Sequence, residues 1–243
     1  MDIRLLIYCF NEIKMLPLKK KWCNYHGIRM VYFDNESTDG SREWAIKNGV
    51  FEEDIITDGE FHIVKILNKV EEYRRNNTYD WSVLNGADLF LSGFNGVRLC
   101  DYIKSIDDKG YDGIKTNYAM VCRNNDVSTL DFSYYSRCVD VRDNLTLIAK
   151  QENIINIDSV YSKNPFFDKK LWWFNMGNTK DKQERKDIVD RREKAWSKGL
   201  KRNYGNHYKD LQNYDYTLPN LITQSLEHVG AKDSLIELSE LLN

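Results

Sequence analysis

The chain has 243 residues, 42% hydrophobic and 30% charged, with 35 basic against 37 acidic residues and a net charge of −2. This is the composition of one globular domain long enough to bury a full core, and the near-neutral charge excludes a surface built throughout to hold nucleic acid or anionic membrane. Five cysteines form no CxxC pair and show no metal-ligand spacing, so they read as reduced thiols in a cytoplasmic compartment. The opening MDIRLLIYCFNE has too short an apolar run for a signal peptide or a membrane span, and no transmembrane segment is expected.

In chain order, Ile3 to Cys9 is an apolar run suited to a buried strand. Pro17 opens an amphipathic helix that ends at His26 and Gly27, and Ile28 to Phe33 is the next strand. The polar turn Asp34 to Ser41 feeds a helix over Gly40 to Asn48, with Gly49 as its stop. Ile63, Ile66, Leu67, Val70 and Tyr73 recur at helical spacing within Phe61 to Arg75. Trp81 to Leu84 reads as a short core strand running into Asn85 to Asp88 before Leu89-Phe90-Leu91, Val97 to Ile106 as a helix, and Gly113 to Cys122 as a strand. Beyond Arg123, strands are expected at Thr146 to Ala149 and Ile154 to Ile157. Helices are expected over Lys182 to Lys198 and, with a break near Gly230, over Leu218 to Leu242. Apolar runs alternating with amphipathic stretches predict an α/β fold with a mostly parallel sheet. No linker or internal repeat divides the chain, so residues 1–243 are taken as one domain.

The segment Val31 to Ser41 places Asp34 at the tip of a strand, then a hydroxyl- and acid-rich turn running into a helix. Ligands in open α/β sheets bind beyond the carboxyl ends of the strands, and helix N-termini there favour phosphate. Asp34-Asn35-Glu36-Ser37-Thr38-Asp39-Gly40-Ser41 resembles the DN-x-STDGS signature of family 2-like glycosyltransferases with the GT-A fold. Cys9-Phe10-Asn11-Glu12, then Leu16-Pro17 and Tyr25-His26-Gly27, resemble a run that precedes that signature in the same enzymes. The likeness covers residues 3 to 50 well and weakens toward 120. It implies a Rossmann-like GT-A sheet flanked by helices with a helical C-terminal part, residues 1–120 binding a nucleotide sugar and 121–243 facing the acceptor.

The resemblance also implies a donor site for a UDP- or GDP-sugar at Asn11, Glu12, Asp34, Asn35, Asn85 and Asp88. Such enzymes carry a DxD element whose carboxylates hold a divalent cation against the donor diphosphate. Here Gly86-Ala87-Asp88-Leu89 keeps only the second acid, with Asn85 available for a ribose contact. Mn²⁺ or Mg²⁺ is therefore expected at Asp88, and Asn206-His207-Tyr208 resembles a late element that makes His207 a second ligand, one suited to manganese. The base that activates an acceptor hydroxyl is sought among Asp131, Asp140 and Asp158, with Asp131 preferred for the aromatic residues after it.

Trp172 and Trp173 offer indole faces for an acceptor sugar, although in a strand at least one belongs to the core. Lys180 to Arg202 holds ten basic against five acidic residues; a solvated helix is the plain reading, and contact with a polyanion is the sharper one. The expected acceptor is a glycan, a lipid-linked carrier or another hydroxyl compound, with the protein cytoplasmic or peripheral at a membrane surface. The competing readings are a catalytically silent nucleotide- or glycan-binding relative and a transferase acting on nucleic acid. A sugar nucleotidyltransferase would need a glycine-rich phosphate loop near the N-terminus, which Cys9 to Glu12 does not offer.

Overall fold

The computed structural model describes residues 1–123, 135–153, 155–156, 159–160, 162–176, 186–187, 190–191, 194, 224–227 and 229–242. Ile3–Cys9 (β1), Arg29–Asp34 (β2), Phe51–Asp54 (β3) and Trp81–Asn85 (β4) form a parallel unit in the spatial order β3-β2-β1-β4. The helices Leu16–His26 (α1), Ser41–Lys47 (α2) and Ile63–Asn76 (α3) make the crossovers. Parallel strands need such crossovers, which is why apolar runs and amphipathic stretches alternate in this half.

The second half continues the sheet through Leu89–Ser92 (β5), Gly113–Arg123 (β6), Tyr135–Lys150 (β7) and Pro165–Asn175 (β10), in the order β4-β7-β6-β10-β5. Leu99–Asp107 (α4) precedes β6; Ile155–Asn156 (β8) and Ser159–Val160 (β9) form a separate small ribbon; Gln224–Ser225 (β11) pairs with β7. The chain closes with Lys232–Leu242 (α5). Here β7 runs antiparallel to β4 and β6, and β5 antiparallel to β10, while β6 and β10 are parallel. The expected α/β sheet flanked by helices is therefore present, its N-terminal half wholly parallel. The strand expected at Thr146 to Ala149 is the end of β7, which begins eleven residues earlier than that reading placed it. Its alternation is masked by Arg137, Arg142, Asp140 and Asp143 within the run.

The parallel strands are covered on both faces. Leu5, Ile7, Met30, Tyr32 and Val83 pack into one core with Trp22, Leu99, Ile103, Leu235 and Leu238. Leu6, Val31, Phe33 and Leu84 pack on the other face against Ile66, Val70 and Tyr73 of α3. Period-2 alternation divides each strand between two apolar layers, which accounts for the continuous apolar runs read in the sequence. Among the described residues no helix is long and apolar enough to cross a membrane.

Candidate functional site

The carboxyl ends of β1, β2 and β4 lie side by side, because β1 pairs with both neighbours in parallel register. Beyond β1 the chain turns through Asn11 at φ 55° and starts α1; beyond β2 it turns through Glu36 at φ 62°. These two loops are joined by hydrogen bonds. The Asn11 amide donates to Ser37 Oγ at 3.0 Å, and its Oδ1 accepts from the Thr38 amide at 2.8 Å. The Glu12 amide donates to Ser41 Oγ at 2.9 Å, and the Ile13 amide to Asp39 Oδ2 at 3.0 Å. The polar residues of the signature thus satisfy backbone groups that α1 and the two loops would otherwise leave unpaired.

Asp34 is fully buried, accepting from the Tyr32 hydroxyl and the Ser37 amide, each at 2.8 Å. Burial, with Cys9 and Asp34 nearby, pushes the Tyr32 phenol far up and keeps it a donor. Asn35 donates through Nδ2 to the Ile55 carbonyl and Thr57 Oγ1, and its amide donates to the Cys9 carbonyl. Asn11, Asp34 and Asn35, expected as donor contacts, are engaged in holding the loops: a turn linking two buried strand ends must pair its own polar groups first.

Arg191 reaches into the same loops. It is 7% exposed, donates through Nη1 to the Asn35 carbonyl at 2.8 Å, and through Nη2 to Asn35 Oδ1 at 3.1 Å and the Glu60 carbonyl at 3.2 Å. Its guanidinium lies 3.8 Å from the Phe10 ring centroid. Burial lowers the Arg191 pKa against the pull of Glu36 and Asp34. Burial alone would raise Glu36, but hydrogen bonds from Thr57 and Gly59 and the charge of Arg191 outweigh it and hold the carboxyl below the usual range. One member of the basic run Lys180 to Arg202 is therefore an internal tie, not part of a surface patch.

At the end of β4 the situation differs. Asn85 is 3% exposed, yet neither Nδ2 nor Oδ1 has a hydrogen-bond partner among the described residues. Buried amides are rarely left so, and this one stands beside Gly86 and the half-buried Asp88. A Cβ placed on Gly86 would meet Asp88 Oδ1 at 2.7 Å, so the surviving carboxylate turns back over the position where the first acid of a DxD pair would stand. Among the described residues no group of three or more His, Cys, Asp or Glu is gathered that could hold a metal. Among the described residues the turn thus offers one carboxylate, packed over a glycine that cannot gain a side chain unless that carboxylate moves.

Below this turn lies Lys19, which the sequence reading missed. It is fully buried on α1, donates from Nζ to the Leu89 carbonyl, and sits 4.2 Å from the Phe90 ring centroid and 5.1 Å from that of Trp22. Burial drops its pKa to about 8, opposed by Cys23, Asp88, Cys9 and Glu12. The signal was available in the helical period: Leu16, Lys19, Trp22, Cys23 and His26 share the buried face.

Trp172 and Trp173, expected to meet an acceptor, both lie in the main core, 5% and 0% exposed. They stand on β10 between β6 and β5, and the core reading expected for at least one of them holds for both. Asp131, Asp158 and His207 lie outside the described residues, and Asp140 stands on β7 opposite Met120.

No protein-family model matches the chain, and no curated protein matches it. Among solved structures it is similar to S. aureus TarS at 13% identity and a TM-score of 0.44, over 78% of this chain and 39% of that one. It is similar at 10% identity and a TM-score of 0.44 to TarS 1–349 in complex with UDP-GlcNAc, over 78% of this chain and 64% of that one. It is also similar to HddC from Yersinia pseudotuberculosis complexed with GMP-PN, at 12% identity and a TM-score of 0.38, over 79% of this chain and 98% of that one. The chain thus spans well under half the length of full TarS.

Proposed function

We propose that this protein is a nucleotide-sugar-dependent glycosyltransferase whose donor lies across the carboxyl ends of β1, β2 and β4. The observation that carries the reading is the buried, unpartnered amide of Asn85 beside Asp88, at the strand ends where an α/β sheet binds its ligands. An amide offers one donor and one acceptor side by side, which matches a vicinal diol of a ribose or a sugar. The signature residues have an indirect part in this reading. Asp34, Asn35, Asn11 and the Glu12 amide fix the two loops, so that the ligand meets a preformed surface.

In the reaction an acceptor hydroxyl attacks the anomeric carbon, the bond to the nucleoside diphosphate breaks, and the hydroxyl proton passes to a carboxylate. Asp131 is proposed for that last role on its sequence context. A cation that arrives with the donor and meets Asp88 is the second reading, favoured by the one carboxylate that survives at the strand end. Calorimetry with UDP- and GDP-sugars tests the proposal. The wild type is expected to bind one class, and Asn85→Leu to weaken that binding at least tenfold with its fold intact, as loss of a buried hydrogen-bonding pair implies. Failure of a folded wild type to bind any nucleotide sugar, with or without Mn²⁺, would overturn it.

A further inference from the structure

Lys19 is an ammonium with three donors and, among the described residues, one hydrogen-bond acceptor; two aromatic faces enclose it, and it is cut off from solvent. It makes no salt bridge among the described residues. Burying a charge so sparsely paired is costly, and a methionine of similar length would fill the same cage without that cost. Lys19 therefore stands there at a cost in stability, and its place suggests a use. The carbonyl it binds belongs to Leu89, the residue after Asp88, so α1 delivers a positive charge to the underside of the turn on which Asp88 and Asn85 stand.

We infer that Lys19 is the fixed cation of this site, offsetting Asp88 from within the fold, so that a phosphate-bearing ligand binds at the end of β4 without a divalent metal ion. This goes with the donor set found there, one carboxylate over a glycine in place of two acids. In a water-poor interior a charge acts over longer range than at the surface, so Lys19 need not touch the ligand to favour it. Lys19 is thus a positioning residue. Asp88, Glu12, Cys9, Cys23 and His26 are the titratable groups that face it. The inference rests on the donor reading only in placing a phosphate group at this strand end.

The test is calorimetric binding of inorganic pyrophosphate and of UDP to the full chain in EDTA, for wild type, Lys19→Met and Asp88→Asn. The wild type is expected to bind pyrophosphate in chelator, Lys19→Met at least tenfold more weakly with a melting temperature no lower, and Asp88→Asn at least as tightly as wild type. Wild-type affinity should also fall as pH rises through about 8, where the ammonium discharges, and Lys19→Met should lack that limb; a role in packing alone would not produce it. Pyrophosphate bound only when Mn²⁺ is present, or bound equally well by Lys19→Met in EDTA, overturns the inference. UDP bound only with Mn²⁺ keeps the transferase reading and removes this one, whereas pyrophosphate bound in EDTA by a protein that takes no nucleotide sugar does the reverse.

Discussion

His26, at the end of α1, has a burial with a measurable consequence. Its ring is 2% exposed, packs edge-on against Trp22 and Phe94, and accepts at Nδ1 from the Leu99 amide, capping α4 from another element. Burial, with the charges of Lys19 and Arg98, lowers its pKa from 6.5 to about 3. The unfolded chain therefore takes up a proton below about pH 6.5 that the folded chain refuses until about pH 3. Stability is complete above that window and falls within it, by at most about 1.4 kcal/mol per pH unit from this group. Thermal melts between pH 7 and pH 4 should show this decline, and His26→Gln should flatten it. Asn85 makes the opposite kind of prediction, since its amide is unpaired in a dry place. Asn85→Leu should raise unfolding stability by about 1–3 kcal/mol in chemical denaturation while removing ligand binding.

At the scale of elements, the loops after β1, β2 and β3 behave as one unit through Arg191. Its two terminal nitrogens hold the Asn35 and Glu60 carbonyls, and Phe10 covers the guanidinium. Arg191→Ala should cost about 2–4 kcal/mol in denaturant unfolding and raise hydrogen exchange at Glu36 to Glu60, because buried acceptors are left without donors. Ser37→Ala, which removes the acceptor of the Asn11 amide, and Thr38→Ala, which removes the Oγ1 that accepts from Asn11 Nδ2, should each loosen the contact with the first loop. Asn11 and Thr38 should show a coupling energy of about 0.5 kcal/mol or more in a double-mutant cycle built with Asn11→Ala and Thr38→Ala, since their side chains meet directly across the two loops. The polar turn Asp34 to Ser41 was legible in the sequence. Its bonding was not, because a run of residue types says nothing of which hydrogen bonds they have already made.

At the scale of the whole molecule, the last helix supplies part of the main core. Leu235, Leu238 and Leu242 of α5 enter the main core, and Glu237 accepts from the Gly93 and Gly96 amides beyond β5. Three buried leucines contribute about 5–9 kcal/mol at usual transfer values, the size of a domain's total stability. A chain ending before Lys232 should therefore be unfolded or molten at 25 °C, as near-ultraviolet circular dichroism would show. The two halves also differ in legibility. Period-2 and helical spacing located β1, α1, β2, α2, α3, β4 and α4 to within a few residues, because each is short and bounded by Gly, Pro or a polar turn. The long strand β7 was read only at its end, since charges interrupt its alternation.

The sequence by itself determined the parallel α/β half, the two-faced burial of its strands and the strand ends where a ligand would bind. Those follow from apolar period and turn chemistry, which are local properties of the chain. Tertiary structure alone decided that Lys19 is buried under the Asp88 turn, that Arg191 ties three loops, that both Trp172 and Trp173 are core, and that Asn85 keeps its amide unpaired. Each depends on which groups meet through space over tens to more than a hundred residues of separation. Spacing along the chain carries no information about whether a polar group has been satisfied by a distant partner.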